Sequence, residues 1–283
     1  MSERTLSDAA RGRLRYVRLP PGRVTLVDFP DFLIVGPQRT GTTWIHESLR
    51  DHPDILWPRL KEIFFFSRLK EPNDPKFQSA DLTWYLAQFR DPPWVFAAKM
   101  LLSLRASGRL YRPRIRGEAT ASYAAMDGDL IDEVVTLNPE IRVVLMIRDP
   151  VERAWSHAKK DLVRNRGKRF EDVPEREFEE FFRDPYQLRC ARYAENVDNW
   201  AARVGEGHLF IGKFADVSAR PAALLADICR FLGVRSDPRF LGRTVHTPVN
   251  PTPPEPIPAR YHAMLTDLLQ KDIVKVRERF GVS

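Results

Sequence analysis

Residues 32–44 read Phe-Leu-Ile-Val-Gly-Pro-Gln-Arg-Thr-Gly-Thr-Thr-Trp. The consecutive apolar residues Phe32–Val35 spell a strand covered on both faces, and the glycines that follow turn the chain into a helix. Gly36 and Gly41 keep the G-x-x-x-x-G spacing of a nucleotide-kinase loop, but the lysine that should follow Gly41 is absent and Thr42-Thr43 stand there instead. In a kinase loop that lysine reaches the β- and γ-phosphates and the next hydroxyl holds Mg²⁺. Here the cation is Arg39, inside the turn. A turn with an internal cation and no such lysine suits a short anionic group. The glycines allow close approach of backbone to an anion. The N–H groups of Gly41, Thr42, Thr43 and Trp44 open the helix toward it with the helix dipole behind them. The Thr42 and Thr43 hydroxyls add donors, and Arg39 adds a charge-assisted fork. The segment Arg39, Thr40, Gly41, Thr42, Thr43, Trp44 is the first candidate ligand loop.

Outward from this loop, three further apolar runs predict strands at Ile115–Gly117, Val143–Ile147 and Leu209–Ile211, with a shorter one at Asp54–Leu56. Continuous rather than alternating apolarity predicts a parallel sheet covered on both faces. Helical patterns alternate with the strands at Thr42–Arg50, Asp127–Leu137, Pro150–Arg164, Tyr186–Val204, Pro221–Leu232 and Pro258–Phe280. Pro139 ends one of them, Pro150 opens another, and Gly233 supplies a C-cap. The alternation predicts an α/β fold, a doubly wound parallel sheet flanked by helices.

The chain of 283 residues, 43% hydrophobic, is sized for one α/β domain over residues 1–283. Residues 1–30, with six arginines among them, read as a mobile or edge-packed arm. Residues 68–114 carry five prolines with Trp84, Tyr85, Phe89, Trp94 and Phe96, and read as a largely helical insertion on the acceptor side, its aromatics either lining a pocket or packing the insertion down. Residues 245–258 read as a Pro-rich loop. Net charge is +7, without the basic run and interleaved aromatics of a nucleic-acid binder. Cys190 and Cys229 form no C-x-x-C pair, so no disulfide framework or zinc site is expected. The longest apolar run, Pro92 to Leu104, is interrupted by Lys99 and too short to span a bilayer. These features, with no signal-peptide core, lead us to expect a cytoplasmic protein.

A second constellation runs Ile147-Arg-Asp-Pro-Val-Glu-Arg-Ala-Trp-Ser156. Arg148 sits at the carboxyl end of a predicted strand, where open α/β sheets bind ligands. Ser156 lies about two helical turns along the following helix. Arg148 paired with Asp149 or Glu152 is the bland alternative. Two anion sites at this spacing imply a doubly phosphorylated nucleotide.

At this point the chain resembles a known family. Gly36-Pro-Gln-Arg-Thr-Gly-Thr-Thr is similar to the 5′-phosphosulfate loop of sulfotransferases that use 3′-phosphoadenosine-5′-phosphosulfate (PAPS), and the Arg148–Ser156 segment to their 3′-phosphate site. The heparan-sulfate-type branch and its bacterial relatives are most similar. Lys61-Glu-Ile-Phe-Phe-Phe66 resembles that branch's Lys-Glu-x-x-Phe-Phe, whose Glu is the proposed base. Leu82-Thr-Trp-Tyr85 with Phe89, Gly117-Glu-Ala-Thr-Ala-Ser-Tyr123 and Phe231-Leu-Gly-Val234 also match. Arg39 stands where many members have Lys, Ala119 where the branch has Lys, and Ser67 where some have an acid. The resemblance implies a P-loop-like fold, PAPS as co-substrate, no metal, and a small-molecule, glycan or lipid acceptor. It implies Arg39–Trp44, Arg148 and Ser156 as the donor site, Glu62 as general base, and Arg39 with Lys61 as the cations facing the growing charge. Burial beside Phe64, Phe65 and Phe66 would tune Glu62 for that role; simple pairing with Lys61 or Arg59 is the alternative. Glu118, at a strand end, reads as an anchor for a neighbouring cation or as another, lesser candidate base. His46 and His157 read as structural, and His246 as a lesser candidate base. The rival functions are a P-loop nucleotide kinase and a non-catalytic nucleotide-binding protein.

Overall fold

Five strands alternate with helices in the computed structural model of the chain, which describes residues 4–242, 245, 249 and 256–282. The strands are β1 Phe32–Val35, β2 Ile55–Leu56, β3 Ile115–Ala119, β4 Arg142–Ile147 and β5 Leu209–Lys213. The helices are α1 Asp8–Arg11, α2 Thr42–Leu49, α3 Leu82–Ala87, α4 Pro93–Ser107, α5 Gly128–Leu137, α6 Pro150–Ala158, α7 Glu175–Arg183, α8 Pro185–Ala191, α9 Tyr193–Ala201, α10 Ala215–Ala219, α11 Pro221–Leu232, α12 Ala259–Leu268 and α13 Gln270–Phe280. The strands form one sheet in the order β2-β3-β1-β4-β5, every pairing parallel. This is the expected α/β sheet flanked by helices.

Successive residues of a strand face opposite sides. Leu33 and Val35 of β1 enter a core with Val143, Leu145, Tyr85, Tyr123 and Trp200, whereas Phe32 and Ile34 enter another with Trp44, Val144, Leu225 and Ile228. Both faces of the sheet are therefore covered, which is why its central strands β1 and β4 read as apolar runs. A third cluster, built from Trp155, Phe178, Phe182, Tyr261 and Leu265, joins α6, α7 and α12.

Several expectations are sharpened or corrected. Of the two readings of the N-terminal arm, the described residues 4–30 follow the packed one: Leu6, Val17, Val24, Leu26 and Phe29 are buried in the main core, and the N–H groups of Arg15 and Val17 bond to the Glu133 carboxylate at 2.6 and 3.0 Å. The insertion at 68–114 is less helical than expected, because its prolines leave α3 and α4 joined by irregular chain. Tyr85 and Phe89 are fully packed, whereas Trp94 is 74% exposed. The helix after Pro150 passes into a π-helical turn at Lys159–Val163. The pattern over 186–204 breaks at Arg192 (φ −76°, ψ 56°), and that over 258–280 at Leu269 (φ −108°, ψ 11°). Helix α7, with Phe178 and Phe182 one turn apart on its buried side, lies in sequence read as connection. Most of the Pro-rich loop at 245–258, including His246, lies outside the described residues.

Candidate active site

Because all five strands are parallel, their carboxyl ends share one edge of the sheet. The chain leaves β1 toward β2 and β3 on one side and leaves β4 toward β5 on the other. The β1/β4 seam is thus the topological switch point, where open α/β sheets bind ligands. The glycine turn leaves β1 there, and Arg148 leaves β4.

The turn is held by its own atoms. A Cβ on Gly36 would lie 2.6 Å from Thr40 Oγ1, whose hydroxyl donates to the Pro37 carbonyl at 2.8 Å. Gly41, the N-cap of α2, is left-handed (φ 93°). A Cβ on it would press on Phe214 and Val217 at 3.2 and 3.3 Å. Helix geometry leaves the first N–H groups of α2 without carbonyl partners in their own helix. Thr42 and the Trp44 ring are buried, and Thr43 is half-buried. The Thr40 hydroxyl therefore shapes the turn, and Trp44 offers its backbone rather than its ring.

Arg39 is where the two predicted anion sites meet. Its Nε donates to Ser156 Oγ at 2.8 Å, and its carbonyl accepts from Arg148 Nη1 at 3.1 Å. Arg148 also pairs with exposed Glu152 at 3.1 Å and stacks over Phe214 at 4.2 Å. The bland pairing weighed for Arg148 is thus present together with its place in the cluster. Burial, and then the charges of Arg164 and Arg148, pull the Arg39 pKa down to about 10; Asp161 opposes them. The π-helical turn after α6 carries Asp161, and Arg164 follows it. Such a turn inside a helix commonly marks a functional site.

Glu62 lies on the loop after β2. Its N–H donates to the Ala119 carbonyl at 3.1 Å, and its carboxylate accepts from Ala121 N–H at 2.9 Å and from Lys61 Nζ. The contacts of this carboxylate are thus a cation and a backbone N–H, while Phe65 and Phe66 pack against Tyr85. Arg59 instead donates its N–H to the Gln88 carbonyl at 3.3 Å. Burial lowers the His46 pKa on α2, and the Lys61 charge adds to the lowering, so Lys61 lies within electrostatic reach of that helix. Among the described residues the non-glycine positions with positive φ are Arg39 (77°), Glu62 (63°) and Phe64 (60°). Left-handed backbone in side-chain-bearing residues clusters at functional sites.

Glu118 anchors no cation. It is fully buried at the end of β3 and accepts hydrogen bonds from Thr120 Oγ1 at 2.7 Å and from the Tyr85 hydroxyl. Burial lifts its pKa to about 7; hydrogen bonds from Tyr85, Thr120 and Tyr123 oppose the rise, and the Glu62 charge adds to it. His157 is buried, bonded to Gln187 at 2.9 Å and paired with Asp161 at 3.2 Å, so it is structural as expected.

Some residues at the site were not anticipated. Phe214, the first residue after β5, packs against both Gly41 and Arg148. Its place at the carboxyl end of a predicted strand was the available signal. Tyr186 donates to Gln38 Oε1 at 2.8 Å. It also lines a cleft with Ser67, Arg68, Ser122, Met126 and Arg189. Ser122 in its lining adjoins Ala121, the residue whose N–H holds Glu62.

Residues 30–238 match the family model described as "Sulfotransferase family". The human bifunctional heparan sulfate N-deacetylase/N-sulfotransferase 2 is 26% identical over 219 residues, 72% of this chain and 22% of that protein. The membrane-associated sulfotransferase kil1 of Dictyostelium discoideum is 25% identical over 131 residues, 46% of this chain and 23% of that protein. The chain therefore spans about a fifth of the length of these relatives. A sulfotransferase crystal structure from Alicyclobacillus acidocaldarius superposes with a TM-score of 0.61 at 26% identity, over 90% of this chain and 96% of that one. The sulfotransferase domain of the Synechococcus PCC 7002 olefin synthase shares the fold at a TM-score of 0.53 and 19% identity, over 90% and 95% of the two chains. The chain belongs to the sulfotransferase family and is a transferase with that family's P-loop-like fold.

Proposed function

We propose that this family member transfers a sulfuryl group from PAPS to a hydroxyl or amine, with Glu62 as general base. The observation that carries the reading is the crowding of arginines at the β1/β4 seam. Arg148 and Arg164 stand close enough to Arg39 that their charges add to burial, the larger cause, in pulling the Arg39 pKa down to about 10. Cations held that close fit a ligand with several negative charges. PAPS brings two phosphorylated ends and the activated sulfuryl group itself.

The N–H groups of Gly41 to Trp44, the Thr43 hydroxyl and Arg39 hold the 5′ end, and Arg148 and Ser156 hold the 3′-phosphate. Each charged hydrogen bond of this kind contributes roughly 1.5–3 kcal/mol. Arg148 exchanges Glu152 for phosphate, and Ser156 exchanges Arg39. Arg39 and Lys61 face the charge that grows on the leaving group, and preorganised cations are the largest lever on such a step. Glu62 takes the acceptor proton, fixed in place by Ala121 N–H. The nearby cleft presents hydroxyls of Ser67, Ser122 and Tyr186 and charges of both signs beside Met126 and Leu130, a lining that suits an acceptor with polar groups such as a sugar hydroxyl or amine. The buried, unpaired thiols of Cys190 and Cys229 fit a reducing, cytoplasmic setting. Membership of the family sets aside the kinase and non-catalytic alternatives.

Thermal denaturation tests the donor assignment. Adenosine 3′,5′-bisphosphate without Mg²⁺ should stabilise the protein by about 2.7 kcal/mol at roughly a hundred times its Kd. ATP with Mg²⁺ should leave it unshifted. The reverse preference overturns the reading.

A further inference from the structure

The inward side of helix α4 is mixed: Ser103 and Ser107 are its buried residues, the Ser103 hydroxyl without a hydrogen-bond partner, and half-buried Phe96 beside them packs on Tyr111 at 5.5 Å. Its outward side carries Trp94 at 74% exposure, Leu101 at 70% and Leu102 at 67%, with Leu104 and, just beyond the helix, Leu110 also exposed. Residues about three or four apart share a helix face, so Trp94, Ala98, Leu101 and Arg105 form one stripe, flanked by Leu102 and Leu104. Contiguous exposed apolar surface of this kind marks a docking surface.

Charge identifies what docks. From Pro92 to Gly117 the chain holds Lys99, Arg105, Arg109, Arg112, Arg114 and Arg116, and no Asp or Glu. Lys99 is neutralised inward by Asp91 at 2.8 Å. Arg105, Arg109, Arg112 and Arg114 are exposed. Asp237, whose charge is felt at this edge through Arg109, is itself paired with Arg239 at 2.6 Å. An apolar face with exposed Arg105 and Arg109 at its carboxyl end matches an anionic lipid surface, where the apolar side chains enter the acyl boundary and the guanidinium groups meet headgroup phosphates. A second copy docking on this face would set arginine against arginine. Among the described residues no helix is long and apolar enough to cross a membrane, so the mode is interfacial.

We propose that α4 is a peripheral membrane-docking helix that seats this enzyme on anionic bilayers through Trp94, Leu101, Leu102 and Leu104, with Arg105 and Arg109 on the headgroups. The inference is independent of the donor and base assignments above.

Co-sedimentation of the full chain with phosphatidylcholine vesicles, with and without phosphatidylglycerol, tests it. Binding should be roughly tenfold or more tighter on the anionic vesicles and weaken with salt. Leu101→Glu with Leu102→Glu should abolish it without lowering Tm, since both side chains already face water. Should that variant unfold, Trp94→Phe keeps an apolar ring on the face. Quenching of tryptophan fluorescence by brominated lipid should then fall relative to the parent, because Trp94 is the ring placed to meet acyl chains. Three outcomes overturn the proposal: no binding to anionic vesicles, quenching unchanged by Trp94→Phe, or a dimer that the double variant dissociates while neither protein binds vesicles.

Discussion

The two seams of β1 are built from opposite materials. At the β1/β4 seam, cations are crowded together: Arg39 bonds to Ser156, and Arg148 is clamped to the Arg39 carbonyl. At the β1/β3 side stand two acids: Glu62, on the loop after β2, is held by Ala121 N–H and Lys61, and Glu118, near the end of β3, is buried among hydroxyls. The backbone bridge between the two is short, since Thr120 N–H donates to the Ile34 carbonyl at 3.2 Å, two residues before the glycine turn. On the proposed reading the difference is a division of labour: one seam would bind negative charge and the other would manage a proton, and neither residue set alone could do both.

The sharpest way to break that division is Glu62→Gln. Turnover should fall roughly 10²–10⁴-fold with bisphosphate affinity kept, as read from steady-state kinetics and titration. A matching loss of donor affinity would place Glu62 in the binding seam. Next comes Arg148→Ala, which should weaken adenosine 3′,5′-bisphosphate roughly 10–100-fold through one lost charged contact and leave adenosine 5′-monophosphate nearly unchanged. Equal losses for both ligands would contradict the assignment of Arg148 to the 3′ end. The smallest effect concerns Glu118. Its folded pKa of about 7 lies above the reference 4.5, so the folded state holds the proton longer. Stability therefore declines as pH climbs from about 4.5 to about 7 and levels off above that. Glu118→Gln removes the titration, and its stability relative to the parent should rise by about 2 kcal/mol between pH 5 and pH 8 in denaturant melts. A difference independent of pH would show that Glu118 does not titrate in this window.

The sheet was legible because β1, β4 and β5 are built on apolar runs, while β3 carries Arg116 and Glu118 and was the weaker signal, and the helices because proline or glycine marks many of their ends. What stayed hidden has physical reasons. Arg192 leaves helical geometry without a glycine or proline to announce it, and Asn196 Nδ2 bonds the Arg189 carbonyl exposed there at 3.0 Å. The π-helical turn follows a sequence that reads as ordinary helix. The core role of residues 4–30 was masked by their arginines, which lie between the buried apolar residues. In the site, the glycine turn and Arg148 announced themselves by spacing. The Arg39–Ser156 contact spans 117 residues, and the Tyr85 hydroxyl that meets Glu118 comes from 33 residues upstream. Pairings across such separations are set by the tertiary fold, and no local pattern encodes them.

The left-handed backbone at Arg39 and Glu62 carries one more consequence. That conformation costs a side-chain-bearing residue about 1–2 kcal/mol, and glycine would relieve it at both places. The same substitutions delete the cation of one seam and the carboxylate of the other. Variants selected for heat resistance alone would therefore drift toward glycine at both positions and, on the proposed roles of Arg39 and Glu62, lose activity as they became more robust.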